Sequence, residues 1–103
     1  MKYDLVYAPE AVEQLTDLYN YISSAASPMV AKQYTDALVD FCETLRTFPL
    51  RGVCRDDIKQ GLRTTHYKGR TVIAFFVESA TVFILGFFYG GQDYEPILQN
   101  MDR

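Results

Sequence analysis

The chain is poor in the residues that build metal sites and covalent cross-links. It has one histidine and two cysteines, Cys42 and Cys54, with no Cys-x-x-Cys pair. That leaves no zinc-binding pattern and no disulfide framework, and fits two free thiols in a reducing cytosol. An HExxH helix, a glycine-rich phosphate loop and a serine–histidine–aspartate set are also missing, so those routes to metal-dependent, nucleotide-binding and hydrolytic chemistry have no sequence mark. Neither a metal nor a cofactor is expected. Long apolar runs are lacking too. The longest apolar region, 71–89, is interrupted by Glu78 and Ser79, which favours two strands and a turn over a membrane helix. The start, Met1 to Asp4, shows no apolar stretch behind a basic head, so a signal peptide is not expected and a cytoplasmic protein without membrane contact is.

Positive charge is also scarce: ten Lys and Arg against thirteen Asp and Glu give a net charge of -3. Its distribution is uneven. Residues 1–50 carry three basic and seven acidic side chains, residues 51–70 six and two, and residues 71–103 one and four. A basic segment inside an acidic chain suits a specific anionic partner better than general nucleic-acid affinity, which accompanies overall basic domains. A solvated loop with scattered Arg accounts for the same charges.

What is present is a composition that folds. The 103 residues are 49% hydrophobic and 15% aromatic, enough apolar surface for one core but too little chain for two, so one domain over 1–103 is expected. Residues 3–7 alternate as a short strand ended by Pro9. Helix 1 then starts at Pro9, with Val12, Leu15, Leu18, Tyr19 and Ile22 as its apolar stripe and Glu10, Glu13 and Asp17 near its positive end. Ser27 is the N-cap of helix 2 and Pro28 its first residue; Val30, Tyr34, Ala37, Leu38, Phe41, Leu45 and Phe48 recur at helical spacing until Pro49. The two helices are expected to form an antiparallel hairpin.

Residues 53–60 have no period and read as an ordered loop. Residues 62–67 alternate as a strand, and 71–77 and 81–89, rich in Val, Ile, Phe and Thr, should pair as a β-hairpin. The tail from Asp93 can add a docked end or short helix through Ile97 and Leu98. The fold class is therefore α+β: an N-terminal strand, a helical hairpin, and a three-stranded antiparallel sheet packed on it.

That sheet has one apolar face too many. Ile73, Phe75 and Val77 alternate with Val72, Ala74 and Phe76, and the next strand sets Val82, Ile84 and Phe88 opposite Phe83, Leu85 and Phe87. One helical hairpin covers one face, so the other needs a partner protein, self-association, or burial by strong twist and the tail. Val72, Ala74, Phe76, Val82, Ile84 and Phe88 are taken as the partner-binding set.

For chemistry, His66 lies near Arg63, Tyr67, Lys68 and Arg70, with Tyr89 on a neighbouring strand. RNA cleavage by in-line attack needs a base, charge stabilisation at phosphate and an acid, which Arg63, His66, Arg70 and Tyr89 could supply. The same residue types serve equally as solvated turn cations and a hydrogen-bonding strand histidine.

The order of strand, helical hairpin, Phe48-Pro49-Leu50-Arg51-Gly52, then Gly61-Leu62-Arg63 and a closing Phe88-Tyr89-Gly90-Gly91-Gln92-Asp93 resembles the RelE/ParE superfamily of bacterial toxins, on the ParE side, over nearly the whole chain. The resemblance implies the toxin of a type II toxin–antitoxin pair, neutralised by a ParD-like antitoxin that wraps its groove and sheet in a heterotetramer or larger assembly. ParE members are described as inhibitors of DNA gyrase without enzymatic activity, and RelE members as ribosome-dependent messenger RNA endonucleases. Many relatives have His before the closing turn and Arg after its first glycine, where this chain has Tyr89 and Gly91. RelE nucleases are strongly basic, unlike this chain, so direct nucleic-acid binding is not expected. Gyrase inhibition is the leading reading, with Arg51, Arg55, Arg63, Gln92 and Asp93 as target-contact candidates. The alternatives are the nuclease and a non-toxic family member acting only as a complex-forming protein.

Overall fold

A computed structural model describes residues 2–101; Met1 and residues 102–103, the ends of the expected domain and tail, lie outside the described residues. The element order is β1 (Asp4–Tyr7), α1 (Pro9–Ala25), α2 (Pro28–Thr44), β2 (Val53–Cys54), β3 (Arg63–Tyr67), β4 (Thr71–Glu78), β5 (Thr81–Tyr89) and α3 (Glu95–Asn100). Both long helices begin on a proline, whose missing N–H costs nothing in a first turn. Ser27 Oγ caps α2 by accepting from Val30 N at 3.1 Å. Only Ala26 and Ser27 separate the helices, so they return tightly on each other.

The α+β expectation holds with a larger sheet. Five strands lie in the order β1-β5-β4-β3-β2, with β1 parallel to β5 and the rest antiparallel. β1 joins through long-range pairing, Asp4 opposite Thr81 and Tyr7 opposite Ile84. The two residues of β2 form a short edge where a loop was expected.

One core lies between the helical hairpin and the sheet. Ala11, Leu18 and Ile22 of α1 and Ala31, Leu38 and Cys42 of α2 meet Ile73, Phe75, Val82, Ile84 and Phe87. The Leu, Ile, Val and Phe side chains among them contribute about 1.5–3 kcal/mol each when fully buried. Three expected stripe positions turn outward: Val12 is exposed while Ala11 takes the core, Val30 is exposed in the first turn of α2, and Phe48 is exposed because α2 ends at Thr44.

A second core lies on the opposite face, where Ala74, Phe76, Leu85 and Phe88 are covered by Ile58 and Leu62 of the β2–β3 connection and by Leu98 of α3. The surplus face is thus partly roofed by the chain's own end. Val82 and Ile84, grouped with Val72, Ala74, Phe76 and Phe88 in the partner-binding set, lie instead in the helix-side core. The reason is a register shift: Ala74 pairs with Gly86 but Phe75 with Ile84, leaving Leu85 as the extra residue of a bulge. Residues before and after the bulge therefore follow opposite parity, and Phe88 returns to the outer face.

Gln14 of α1 stabilises that irregularity. Its Oε1 accepts from Phe87 N at 2.8 Å, giving a partner to an amide beside the bulge. Gly86 is needed there because a Cβ would come within 2.6 Å of Gln14 Oε1 and 2.9 Å of the Phe88 ring. No described helix is long and apolar enough to cross a membrane.

Candidate functional site

The outer face is divided into a roofed half and an open half. On the roofed half, α3 is tied to the β2–β3 connection by Arg55, which donates to Asp57, to Glu95 at 3.1 Å and to Tyr94 Oη at 3.4 Å. Those carboxylates, Asp57 first, hold the Arg55 guanidinium above its ordinary pKa, and Arg55 in turn pulls Asp57 down. Lys59 Nζ donates to the carbonyl of Met101. Beneath the roof the Phe88 and Tyr94 rings lie 5.7 Å apart.

The open half is an apolar hollow of about 950 Å³ lined by Val6, Pro9, Phe76, Phe83, Leu85 and Met101, with Glu10 and Glu78 among its polar residues. Val6 and Phe83 are 45% and 36% exposed, which is unusual for side chains sharing a wall with buried Phe76 and Leu85. The hollow runs beside β1, the outermost strand. Asp4 N and Ala8 N donate toward β5, so alternation directs the N–H groups of Leu5 and Tyr7 away from the sheet. Among the described residues only the start of that edge is occupied, where Tyr3 N donates to Arg46 O and Arg46 Nε donates back to Tyr3 O.

Of the partner-binding set, Ala74 and Phe88 sit beneath the roof, Val72 packs half-buried against it, Phe76 borders both halves, and Val82 and Ile84 face the helices. Sequence reasoning missed Val6, Leu85 and Met101. Their signal is the lack of a cover for an apolar β1 residue, but it needs the β1–β5 pairing to be recognised.

The four groups considered for RNA cleavage are not brought together. Arg63 opens β3 and its guanidinium donates to the carbonyls of Leu50 and Arg51 at 2.5 and 3.3 Å, holding the turn that follows α2. Tyr89 pairs with Thr71, and Arg63 with Phe75, four residues along β4. At about 3.3 Å per residue that offsets them by roughly 13 Å along the strands, with β4 lying between them as well. His66 is exposed on the outer face, since Tyr67, its neighbour in β3, packs on Phe41 and Tyr34 of α2. Only Arg70 and Tyr89 share a surface, on the helix side.

Most of the basic segment is likewise engaged within the chain. Arg51 donates to Thr44 Oγ1 and lies over the Phe41 and Phe48 rings at 5.1 and 5.5 Å. Asp56 accepts from Gly61 N at 2.8 Å, which, with Cys54 second, holds its carboxyl below the usual range. Arg51, Arg55 and Arg63 therefore act first as struts for the connection between α2 and β3. Gln92 lines a small hollow with Gln14, Asp17, Tyr21 and Tyr89, and Asp93 is exposed beside it. Among the described residues no cluster of His, Cys, Asp and Glu could hold a metal.

Residues 5–94 match the profile of the ParE toxin of type II toxin–antitoxin systems, parDE. Two solved structures share the fold. One, described as the chromosomal ParDE toxin–antitoxin system from P. aeruginosa, superposes with a TM-score of 0.76 at 19% identity, covering 85% of this chain and 96% of that one. The other, the RelBE2 toxin–antitoxin complex from Mycobacterium tuberculosis, gives 0.65 at 19% identity, covering 87% and 100%. No protein of curated function matches the sequence.

Proposed function

Because the chain belongs to the ParE toxin family of type II toxin–antitoxin systems, we propose that it acts by inhibiting DNA gyrase and is kept inactive by a directly bound, ParD-like antitoxin. The observation that supports a binding mode of action over cleavage is the dispersal of the candidate nuclease groups. Arg63 is spent on backbone carbonyls, and His66 points from the face opposite to Arg70 and Tyr89. A cleavage site needs its acid, base and phosphate-binding cation within reach of one phosphate. β5, which ends at Tyr89, carries no charge.

The antitoxin's seat is the open half of the outer face. A strand added at the β1 edge would pair with the outward amides of Leu5 and Tyr7 while its side chains entered the hollow at Val6, Phe83 and Leu85. That surface replaces Val82 and Ile84, which the helices already cover.

Two measurements test the function. With purified gyrase, the chain should block supercoiling, and equimolar antitoxin should restore it. In cells, induction without antitoxin should cause filamentation and DNA-damage signalling. Prompt translation arrest with cut messages and unaffected supercoiling would replace gyrase inhibition with the nuclease reading, and unimpaired growth would leave only complex formation.

A further inference from the structure

On the helix side of the sheet, away from the antitoxin seat, a notch of about 540 Å³ opens between the α1–α2 connection and the β3–β4 turn. Its floor and walls are Ile22, Ala25, Ala26 and Val30 together with tyrosine rings. Tyr89 stands at the centre, 5.9 Å from the Tyr21 ring and 5.8 Å from the Tyr34 ring. Tyr34 is fixed in turn by a 2.6 Å hydrogen bond with Thr71 Oγ1. Tyr21 is 61% exposed and Val30 46%, so the notch presents aromatic and aliphatic surface to solvent.

Its charged lining residues are Lys68 and Arg70. Both lie in the three-residue connection 68–70 between paired Tyr67 and Thr71, where Lys68 at φ 53° and Gly69 at φ 67° reverse the chain and Arg70 N donates to Tyr67 O at 3.2 Å. That backbone hydrogen bond holds one side of the turn. Gly90 N donates to Arg70 O at 3.0 Å and fixes the other side. Among the described residues the ion pairs are made by Lys32, Arg46 and Arg55. Lys68 and Arg70 form none among the described residues.

We propose that this notch docks an acidic protein segment in which an Asp or Glu lies beside a bulky apolar side chain. The apolar group enters among Tyr21, Tyr89 and Val30, and the carboxylate meets the Arg70 guanidinium, whose planar fork suits two parallel hydrogen bonds. Lys68 adds a second positive charge. Nucleic acid is the poorer occupant: two cations neutralise few phosphates, and the chain's net charge of -3 opposes the rest. The inference holds whichever target the toxin has, since it concerns a surface separate from the hollow beside β1.

The test is an amide-resolved NMR titration of the full chain. One probe is a short peptide of alternating glutamate and leucine, the second its glutamine counterpart, and the third a short oligouridylate. The acidic peptide should shift the amides of Lys68, Gly69, Arg70, Tyr89 and Ala25 saturably. Arg70→Ala should weaken it about tenfold, the scale of one charge-assisted hydrogen bond, as should replacing glutamate by glutamine in the peptide. Tyr21→Ala should also weaken it, while Lys32→Ala, a cation elsewhere, should not. These side chains are exposed, so thermal melts of the variants should match the parent. Equal binding of the glutamine peptide, tighter binding of oligouridylate through the same amides, or no shift with any peptide overturns the proposal.

Discussion

Gly86 is the position where the fold can be challenged with one methyl group. An alanine there would put its Cβ 2.6 Å from Gln14 Oε1 and 2.9 Å from two atoms of the Phe88 ring, all inside normal contact. Relief requires Gln14 to withdraw, which breaks its 2.8 Å bond to Phe87 N and leaves a buried amide without a partner. The orphaned amide costs about 1–3 kcal/mol. Overpacking against Phe88 costs about 1–3 kcal/mol more. Gly86→Ala should therefore lose roughly 2–6 kcal/mol, a large share of the 5–15 kcal/mol that holds a domain together. In a chain of this size the melting temperature should drop on the order of 10–50 °C. Urea unfolding followed by circular dichroism measures the loss directly, and a double-mutant cycle isolates its cause. Gln14→Ala alone should cost about 1–3 kcal/mol, but with Gln14 already gone Gly86→Ala should cost at least about 1 kcal/mol less than in the parent. If Gly86→Ala stays within about 0.5 kcal/mol of the parent, or if the two losses simply add, the bulge is not held in the way described.

Ala80 at φ 58° sits in the left-handed region within the β4–β5 turn, so Ala80→Gly should raise stability by about 1 kcal/mol in the same unfolding assay. Cys42 is fully buried, and burial pushes its thiol up to about 12, so at pH 8 a thiol reagent should modify exposed Cys54 quickly and Cys42 only on unfolding. The same shift makes stability pH-dependent. The unfolded chain ionises Cys42 near pH 9 while the fold keeps it protonated, so stability is intact below pH 9. It should then fall toward pH 12 by up to about 1.4 kcal/mol per unit. Tyr7, raised by burial and by its neighbour Cys42, should add to the fall above pH 10, which alkaline unfolding curves of Cys42→Ala would separate. Phe83→Asp, at a 36% exposed wall of the outer hollow, should abolish antitoxin binding in calorimetry and keep a parent-like melt, whereas Ile84→Asp should unfold the chain.

Elements with a local pattern were legible in the sequence. Pro9 and Ser27-Pro28 mark the helix starts, and the Val, Ile and Phe runs of β4 and β5 mark the strands within a residue. Long-range relations were not. Nothing near Asp4 announces a parallel partner at Thr81, so β1 read as an appendage and the sheet as three strands. The bulge is equally silent, because an extra residue in an all-apolar strand leaves the hydrophobic pattern unchanged. That put Val82 and Ile84 in one partner-binding set with Ala74, Phe76 and Phe88, which lie on the other face. For the candidate site, composition revealed a basic segment but not its use. Only the fold shows Arg63 committed to Leu50 and Arg51 carbonyls and Arg55 to α3, leaving Lys68 and Arg70 as its outward cations. The surplus apolar face was correctly sensed from β4 and β5, while the share covered by Leu98 depended on how six residues of α3 dock.

The parallel pairing of β1 with β5 has a consequence for synthesis. The first strand leaves the ribosome long before Thr81 exists, and it must wait through both helices and three strands for its place beside β5. Such non-local pairing is slow to form, because the intervening chain must be closed before any contact rewards it. The wall holding Val6 therefore arrives last. A nascent chain would therefore lack the wall at Val6, the face proposed for the antitoxin, until β5 has left the ribosome.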